Sequence, residues 1–169
     1  MNHLEQLVSE WLQYNGYFVR MAVQVGPRPN GGFEGELDVV GFHVRKGHLI
    51  HIECSLDSDS WKKRHERFAK KFACGNRFVR QIFEGFELPE SLDQVALLQY
   101  ATGKERDVGG ARLVTVREFV QEVWEGLKGK SPASGAVHST WPLLRTLQLA
   151  ADAKVLDSSP RRYRLIALS

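Results

Sequence analysis

Two carboxylates, Asp38 and Glu53, occur in segments that otherwise have the apolar pattern of buried β-strands. Asp38 lies in Gly-Glu-Leu-Asp-Val-Val, residues 35–40, and Glu53 lies in His-Ile-Glu-Cys-Ser, residues 51–55. Strand side chains alternate between two faces, so Leu37 and Val39 are expected on one face and Asp38 on the other. A tight turn at 45–47 then brings Asp38 opposite Glu53. Two adjacent carboxylates repel, and an oxygen-ligated divalent cation relieves that repulsion, so the pattern predicts a metal site.

An alternative explanation of the two acids is a solvent-facing side of the sheet. Glu34 and Glu36, in the same strand, are expected to be acids of this ordinary kind. Alternation alone does not separate the two explanations. The neighbouring elements favour the metal site, because the strand that carries Glu53 is followed by a strongly basic helix.

Composition indicates an ordinary globular protein. The chain has 169 residues, of which 43% are hydrophobic and 25% charged, and its net charge is +3. This size suits one domain with a small appendage. The two cysteines, Cys54 and Cys74, lack metal-ligand spacing and are expected to be reduced packing groups, as in a cytoplasmic protein. No segment approaches the roughly 20 apolar residues of a membrane span, so no membrane partner is expected.

The elements around the pair follow from hydrophobic periodicity and from turn residues. The loop at 26–32 is either a flap over a substrate or a plain connection. A break is expected at Gly75-Asn76, with partial helix after it. The predicted elements are a helix over 4–12 with its stop at Asn15-Gly16, a strand over 17–25, the hairpin over 35–55, a helix over 61–72, a strand over 93–101, a short strand over 112–114, and a helix opened by the capping box Thr115–Glu118 and ending near Leu127.

Basic residues concentrate on the helix that follows Glu53. They predict a surface that contacts the phosphates of a nucleic acid without reading its sequence. His65, on the apolar side of this helix, is expected to be a hydrogen-bonded core residue rather than a ligand. The residues predicted to bind nucleic acid are Lys62, Lys63, Arg64, Arg67, Lys70 and Lys71.

A Gly- and Ser-rich stretch marks the only predicted boundary. It divides the chain into a main domain at 1–128, a linker at 129–139 and an extension at 140–169. Pro142 in a first turn predicts a helix at the start of the extension. A basic β-hairpin over 154–168 is expected next, and the extension is expected to pack on the main domain.

The order helix, strand, strand with Asp, strand with Glu, helix, strand, helix resembles the restriction-endonuclease-like, PD-(D/E)XK nuclease superfamily. The resemblance covers residues 4 to about 125 and rests on Glu5, Asp38 and Glu53. It implies an α/β fold of three layers, with a central mixed sheet flanked by helices. It also implies a Mg²⁺- or Mn²⁺-dependent nuclease that hydrolyses phosphodiesters of DNA. Asp38 and Glu53 would then bind one or two ions, and Glu5 would be a third or outer ligand.

The sequence departs from this family at one position. Ser55 stands two residues after Glu53, where the family has a catalytic lysine. A hydroxyl carries no positive charge, so Lys62 on the next helix is the expected replacement, with Lys63 second. Asp57 and Asp59 are either further metal ligands or helix caps.

Three functions remain open from the sequence. The first is an active DNA nuclease, for which RNA is a second substrate class. The second is a catalytically decayed nuclease fold that binds nucleic acid or a partner protein. The third is a plain α/β protein whose acids face solvent. A homodimer is compatible with each.

Overall fold

The computed structural model describes residues 2–101 and 104–153, which form an α/β fold. Within these residues, one six-stranded mixed sheet combines with four α-helices. The hairpin predicted at 154–168 lies outside the described residues. The helices are α1 (His3–Tyr14), α2 (Trp61–Ile82), α3 (Val116–Leu127) and α4 (Pro142–Asp152); the strands are β1 (Phe18–Pro27), β2 (Phe33–His43), β3 (His48–Ser55), β4 (Asp93–Leu98), β5 (Asp107–Val108) and β6 (Ala111–Thr115).

The sheet changes from antiparallel to parallel at β3. Its order is β1-β2-β3-β4-β6-β5. Strands β1, β2 and β3 are joined antiparallel, whereas β3, β4 and β6 run parallel, and β5 pairs antiparallel with β6. Parallel neighbours on both sides explain the unbroken apolar run of β4. The sequence did not predict β5, which has only two residues.

The β2–β3 hairpin forms as the sequence predicts. Its ladder runs from Val39 opposite Ile52 to His43 opposite His48. A 3₁₀ turn at Val44–Lys46 connects the strands and ends at Gly47, whose φ of 55° suits glycine. The hairpin therefore carries Asp38 and Glu53 just beyond the last paired residues.

Strict alternation in β2 is interrupted beside Asp38. Leu37 belongs to the same buried cluster as Val40 and Phe42, while Asp38 also reaches α2. The predicted separation of Leu37 from Asp38 onto opposite faces therefore holds only in part. The β1 register places Ala22 beside Asp38, between two paired positions, and Ala22 has a φ of 49°. A residue in this left-handed conformation turns the strand locally.

Helix α2 runs without interruption from Trp61 to Ile82, so the predicted break at Gly75-Asn76 is wrong. Gly75 is buried inside the helix because α2 lies against β3 there. A Cβ on Gly75 would stand 2.2 Å from Nδ1 of His51. The glycine thus permits close helix–sheet contact and does not end the helix.

The buried face of α2 differs in one respect from the predicted face. His65 is exposed, and its Nδ1 accepts a hydrogen bond from the Gly109 amide at 3.3 Å; it is hydrogen-bonded as predicted, but it is not a core residue. Arg64 is buried instead, at 4% exposure. Phe68 and Phe72 pack into a cluster with residues of β4, β5 and β6.

The chain divides into two compact units, residues 1–121 and 122–169. Helix α3 begins in the first unit and ends in the second. Within the second, α4 begins at Pro142 as predicted. Fully buried Gln148 donates hydrogen bonds to the carbonyls of Lys130 at 3.0 Å and Ser131 at 3.2 Å. In the part of the chain that the structure describes, no helix has the length and apolar character needed to cross a membrane.

Candidate functional site

Asp38 and Glu53 meet where β2 and β3 separate. Their carboxylates replace backbone partners there: Oδ2 of Asp38 accepts the Cys54 amide at 2.8 Å, and Oε1 of Glu53 receives the Asp38 amide at 3.4 Å. Asp38 is 7% exposed and Glu53 is fully buried. Each carboxylate thus accepts a hydrogen bond from the backbone of the adjacent strand. The two buried acids therefore do not form a solvent-facing side of the sheet.

Lys71 of α2 lies between the two carboxylates. Its Nζ is 3.0 Å from Oδ1 of Asp38 and also donates to Oε2 of Glu53. The ammonium group is the cation that two adjacent acids require. Lys62, the replacement expected from the sequence, is exposed in the first turn of α2, as is Lys63.

The three groups perturb one another in a consistent way. Burial and the charge of Glu53 raise the pKa of Asp38 to about 7, against the opposing charge of Lys71. Burial would also raise the pKa of Glu53, but the hydrogen bond from His51 and the charge of Lys71 outweigh it and lower that pKa. Burial alone would lower the pKa of Lys71, but the two carboxylates raise it. Lys71 therefore remains an ammonium, and Asp38 is the acid whose charge is least favourable.

A hydrogen bond with His51 holds the Glu53 carboxylate in place. Its Nε2 is 2.7 Å from Oε1 of Glu53, and both side chains are fully buried. Nδ1 of His51 faces the amide nitrogen of Gln94 at 3.4 Å, which also donates to the Phe72 carbonyl at 2.9 Å. An amide NH₂ is a donor, so Nδ1 is the acceptor and Nε2 carries the proton given to Glu53. His51 was not among the predicted site residues, although its place two residues before Glu53 on the same strand face was a usable signal.

Ser55 lies beside an ion-pair cluster. Its hydroxyl donates to Oδ2 of Asp57, which is also bonded by Arg67. Arg67 reaches Oδ2 of Asp59 at 2.7 Å and the Ser55 hydroxyl at 3.3 Å. Ser60 occupies the N-cap of α2 without a side-chain hydrogen bond, so Asp57 and Asp59 are not helix caps. Their carboxylates belong to the Arg67 cluster and not to the Asp38 site.

Glu5 is buried but occupied with its own helix. Its carboxylate accepts the Asn2 amide at 3.1 Å and the Asn2 side chain at 2.7 Å, which forms a capping box. Across residues 2–101 and 104–153, no group of three or more His, Cys, Asp or Glu is placed to hold a metal ion. Glu5 therefore does not form a three-ligand group with Asp38 and Glu53, and its role as an outer ligand stays a prediction.

The predicted nucleic-acid-binding residues separate into two groups. Lys62, Lys63 and Lys70 are exposed. Arg64, Arg67 and Lys71 make the internal contacts described for them, and Arg64 donates to the Tyr100 carbonyl at 2.6 Å and the Asp57 carbonyl at 2.9 Å. Arg64 is therefore buried and hydrogen-bonded within the fold, and it is not part of an exposed basic surface for phosphates.

A cleft of about 330 Å³ opens onto Asp38 and Lys71. Its other wall residues are Glu34, Gly35, Glu36, Lys70 and Cys74. Glu34 is neutralised by Arg77 through two hydrogen bonds, of 2.6 and 3.2 Å. The Asp38 carboxylate thus borders the cleft, whereas Glu53 is fully buried and does not line it.

No protein-family model matches the chain, and no curated protein does either. Among solved structures, the chain is similar to the crystal structure of AF1548, a protein of unknown function. The two share 13% sequence identity and a TM-score of 0.43, over 92% of this chain and 98% of that one. The site's own geometry is therefore the basis for assigning a function.

Proposed function

We propose that the protein is a restriction-endonuclease-like phosphodiesterase that depends on Mg²⁺ or Mn²⁺ and acts on DNA. One observation carries the proposal: Asp38 and Glu53, from adjacent strands, share a cation supplied by Lys71 of the following helix. Two acids and a lysine are the chemical set that the family uses. The lysine comes from α2 here, which accounts for Ser55 at its usual place.

The donor set is compatible with a divalent ion. The ammonium of Lys71 already bridges an oxygen of each carboxylate, so a cation fits between them chemically. Two carboxylates suffice for Mg²⁺, which keeps several of its waters in protein sites. Asp38 and Glu53 would hold the ion; when bound, it supplies Lewis-acid polarisation of the phosphodiester and a more acidic water.

The chain's own residues have separate tasks under this proposal. His51 orients Glu53 through the hydrogen bond at 2.7 Å. Lys71, released from one carboxylate, stabilises charge on the reacting phosphate, because it lines the cleft together with Asp38 and is already bonded to both carboxylates. Exposed Lys62 and Lys63 attract the DNA backbone without reading its sequence.

Cleavage of supercoiled plasmid with Mg²⁺ or Mn²⁺ tests the proposal. Asp38→Asn, Glu53→Gln and Lys71→Met should each lower the rate about 100-fold or more, in line with the loss of one transition-state contact. Lys46→Met, which changes an exposed lysine of the turn at Val44–Lys46, is the matched control and should retain most activity. Activity that depends on Lys62 and not on Lys71 would contradict the assignment of the lysine.

The same ion pair favours a second candidate function. A lysine that permanently neutralises both carboxylates would leave a nuclease fold that binds nucleic acid without cutting it. The wild-type protein would then bind DNA with a salt-dependent affinity and show no cleavage with any divalent metal. Metal-stimulated cleavage lost in Asp38→Asn excludes this alternative.

A further inference from the structure

A second cavity lies at the carboxyl ends of β3 and β4. Its volume is about 450 Å³, and its walls include Ser58, Trp61, Arg64, Gln99 and Tyr100. Gln99 and Tyr100 directly follow β4, and Ser58 follows β3. Ligands of sheets with parallel strands bind outside the carboxyl ends of those strands. The location and size are therefore those of a ligand site.

Arg64 forms a fixed part of the wall. It is 4% exposed, and its two terminal nitrogens donate to backbone carbonyls. Its Nε has almost no accessible surface and no hydrogen-bond partner among the described residues. The bonds of the terminal nitrogens hold Arg64 in place, so this part of the wall is already built without a ligand.

Two aromatic residues also line the cavity. Trp61 is half-buried, with its ring centroid 5.9 Å from the Arg64 guanidinium carbon. The Tyr100 side chain is 56% exposed, although it lies in the wall of the cavity. Two aromatic residues in the wall of one cavity offer stacking surfaces for a flat, unsaturated ligand.

The chemistry of the walls narrows the ligand class. Asp59 and Glu105 also line the cavity, and their carboxylates disfavour a phosphate group. A nucleobase has both a face for stacking and ring or carbonyl acceptors at its edge.

The cavity is connected to the carboxylate site through the end of β3. The Gln99 amide donates to the Ser55 carbonyl at 3.0 Å, and Arg64 contacts Asp57, the hydrogen-bond partner of Ser55. Ser55 is two residues from Glu53 on the same strand. A strand rises about 3.3 Å per residue, so the cavity and the carboxylates are separated by distances of the order of one or two nucleotides.

We propose that this cavity binds one unstacked nucleobase of the substrate strand. The base stacks on Trp61 and Tyr100. The identity of this ligand rests on the proposed action on nucleic acid. The proposal adds a preference for single-stranded or distorted nucleic acid, because a paired base must leave its stack to enter.

Binding of a single-stranded decanucleotide, measured by fluorescence anisotropy in EDTA, tests the proposal apart from catalysis. Tyr100→Leu and Trp61→Leu should each weaken binding about 5- to 100-fold, the range of base–aromatic stacking. Phe18→Leu, which changes an aromatic side chain of similar exposure (57%), is the matched control. An abasic oligonucleotide keeps the phosphates and should bind wild type about as weakly as the intact one binds Tyr100→Leu.

The outcomes separate this proposal from the proposed nuclease activity. Equal affinity for intact and abasic strands, or no effect of Tyr100→Leu, would overturn the nucleobase site even if plasmid cleavage is observed. Base-dependent binding that requires Tyr100, in a protein that never cleaves, would support the site and reject the catalysis. Trp61 packs beside the Phe68 cluster, so thermal unfolding should accompany its variant; Tyr100→Leu, with its exposed ring, decides the result if Trp61→Leu unfolds.

Discussion

Replacing Lys71 by Met tests the most important contact of the site. The change keeps the length and apolar part of the side chain and removes the ammonium from between Asp38 and Glu53. The two carboxylates then face each other without a cation. Because Asp38 and Glu53 are buried, water compensates only partly for this loss. We therefore expect Lys71→Met to lower the free energy of unfolding at neutral pH.

The magnitude follows from the distance and the exposure. At 3.0 Å from Oδ1 of Asp38 and an effective dielectric constant of about 20, the attraction is about 5.5 kcal/mol. Desolvation and the 32% exposure of the Lys71 side chain reduce it. The net loss should lie between the values for exposed pairs, about 0–1 kcal/mol, and for broken buried pairs, about 3–5 kcal/mol. We expect about 2 kcal/mol.

Urea unfolding followed by circular dichroism measures this loss, and a double-mutant cycle assigns it. In the Asp38→Asn background, Lys71→Met should cost only about 1 kcal/mol, since one of the two negative charges is gone, which leaves a coupling of about 1 kcal/mol. Lys70→Met is the matched control, because Lys70 is the exposed neighbour on the same helix, and it should change stability by less than about 0.5 kcal/mol. Equal costs for Lys71→Met and Lys70→Met would refute the shared ion pair.

Three further predictions concern the surroundings of the site, each checked by unfolding in urea or by pH titration of stability. Gly75→Ala should destabilise by about 2–3 kcal/mol through overpacking, because its Cβ would stand 2.2 Å from Nδ1 of His51; Asn76→Ala, exposed on the same turn, should be neutral or slightly stabilising, and similar effects of the two changes would contradict the close contact. Ala22→Gly should not destabilise, although glycine in an ordinary strand costs about 0.5–1 kcal/mol, because Ala22 already has a φ of 49°; a loss of that size would argue against the left-handed conformation. Burial alone would raise the pKa of Asp57, but hydrogen bonds and the charge of Arg67 lower it from 3.8 to about 2. The contribution of Asp57 to the free energy of unfolding should therefore be fully present above about pH 4 and lost as the pH falls to about 2. With a third of the side chain exposed, this contribution should be about 1 kcal/mol, and a stability difference between wild type and Asp57→Asn that persists unchanged at pH 2 would reject the assignment.

The carboxylate pair was predictable from local rules. Period-2 alternation, the turn ending at Gly47 and the apolar strands together place Asp38 beside Glu53, and the hairpin confirms that placement. The rule failed only at Leu37, where the strand alternation shifts beside Ala22. A positive φ at an alanine leaves no mark in a single sequence, so this shift was not predictable.

The lysine of the site lay inside the predicted helix over 61–72, but Lys62 was the expected replacement. Gly75 has low helix propensity, which indicated an end to α2 soon after Lys71. Its packing against His51 overrides that propensity. Once α2 extends to Ile82, Lys71 falls at helical spacing between buried Phe68 and Gly75, and this spacing was a signal for an inward lysine.

Buried Arg64 shows a different limit. A run of basic residues in a sequence predicts a charged surface, yet Arg64 turns inward and bonds the carbonyls of Asp57 and Tyr100. These acceptors are backbone atoms from distant loops, and residue types do not encode them. Only the fold distinguishes Arg64 from exposed Lys62 and Lys63.

Calorimetric titration with Mn²⁺ tests most directly whether Asp38 and Glu53 form a divalent-cation site. Wild type should bind the ion, and Asp38→Asn, titrated at the same pH, should bind it at least about tenfold more weakly. Loss of a residue that only hydrogen-bonds a metal ligand already costs about 10- to 100-fold in metal affinity, and loss of the ligand itself should cost no less. Lys70→Met should bind as wild type does. Negligible binding to wild type, or equal binding to wild type and Asp38→Asn, would contradict the metal site.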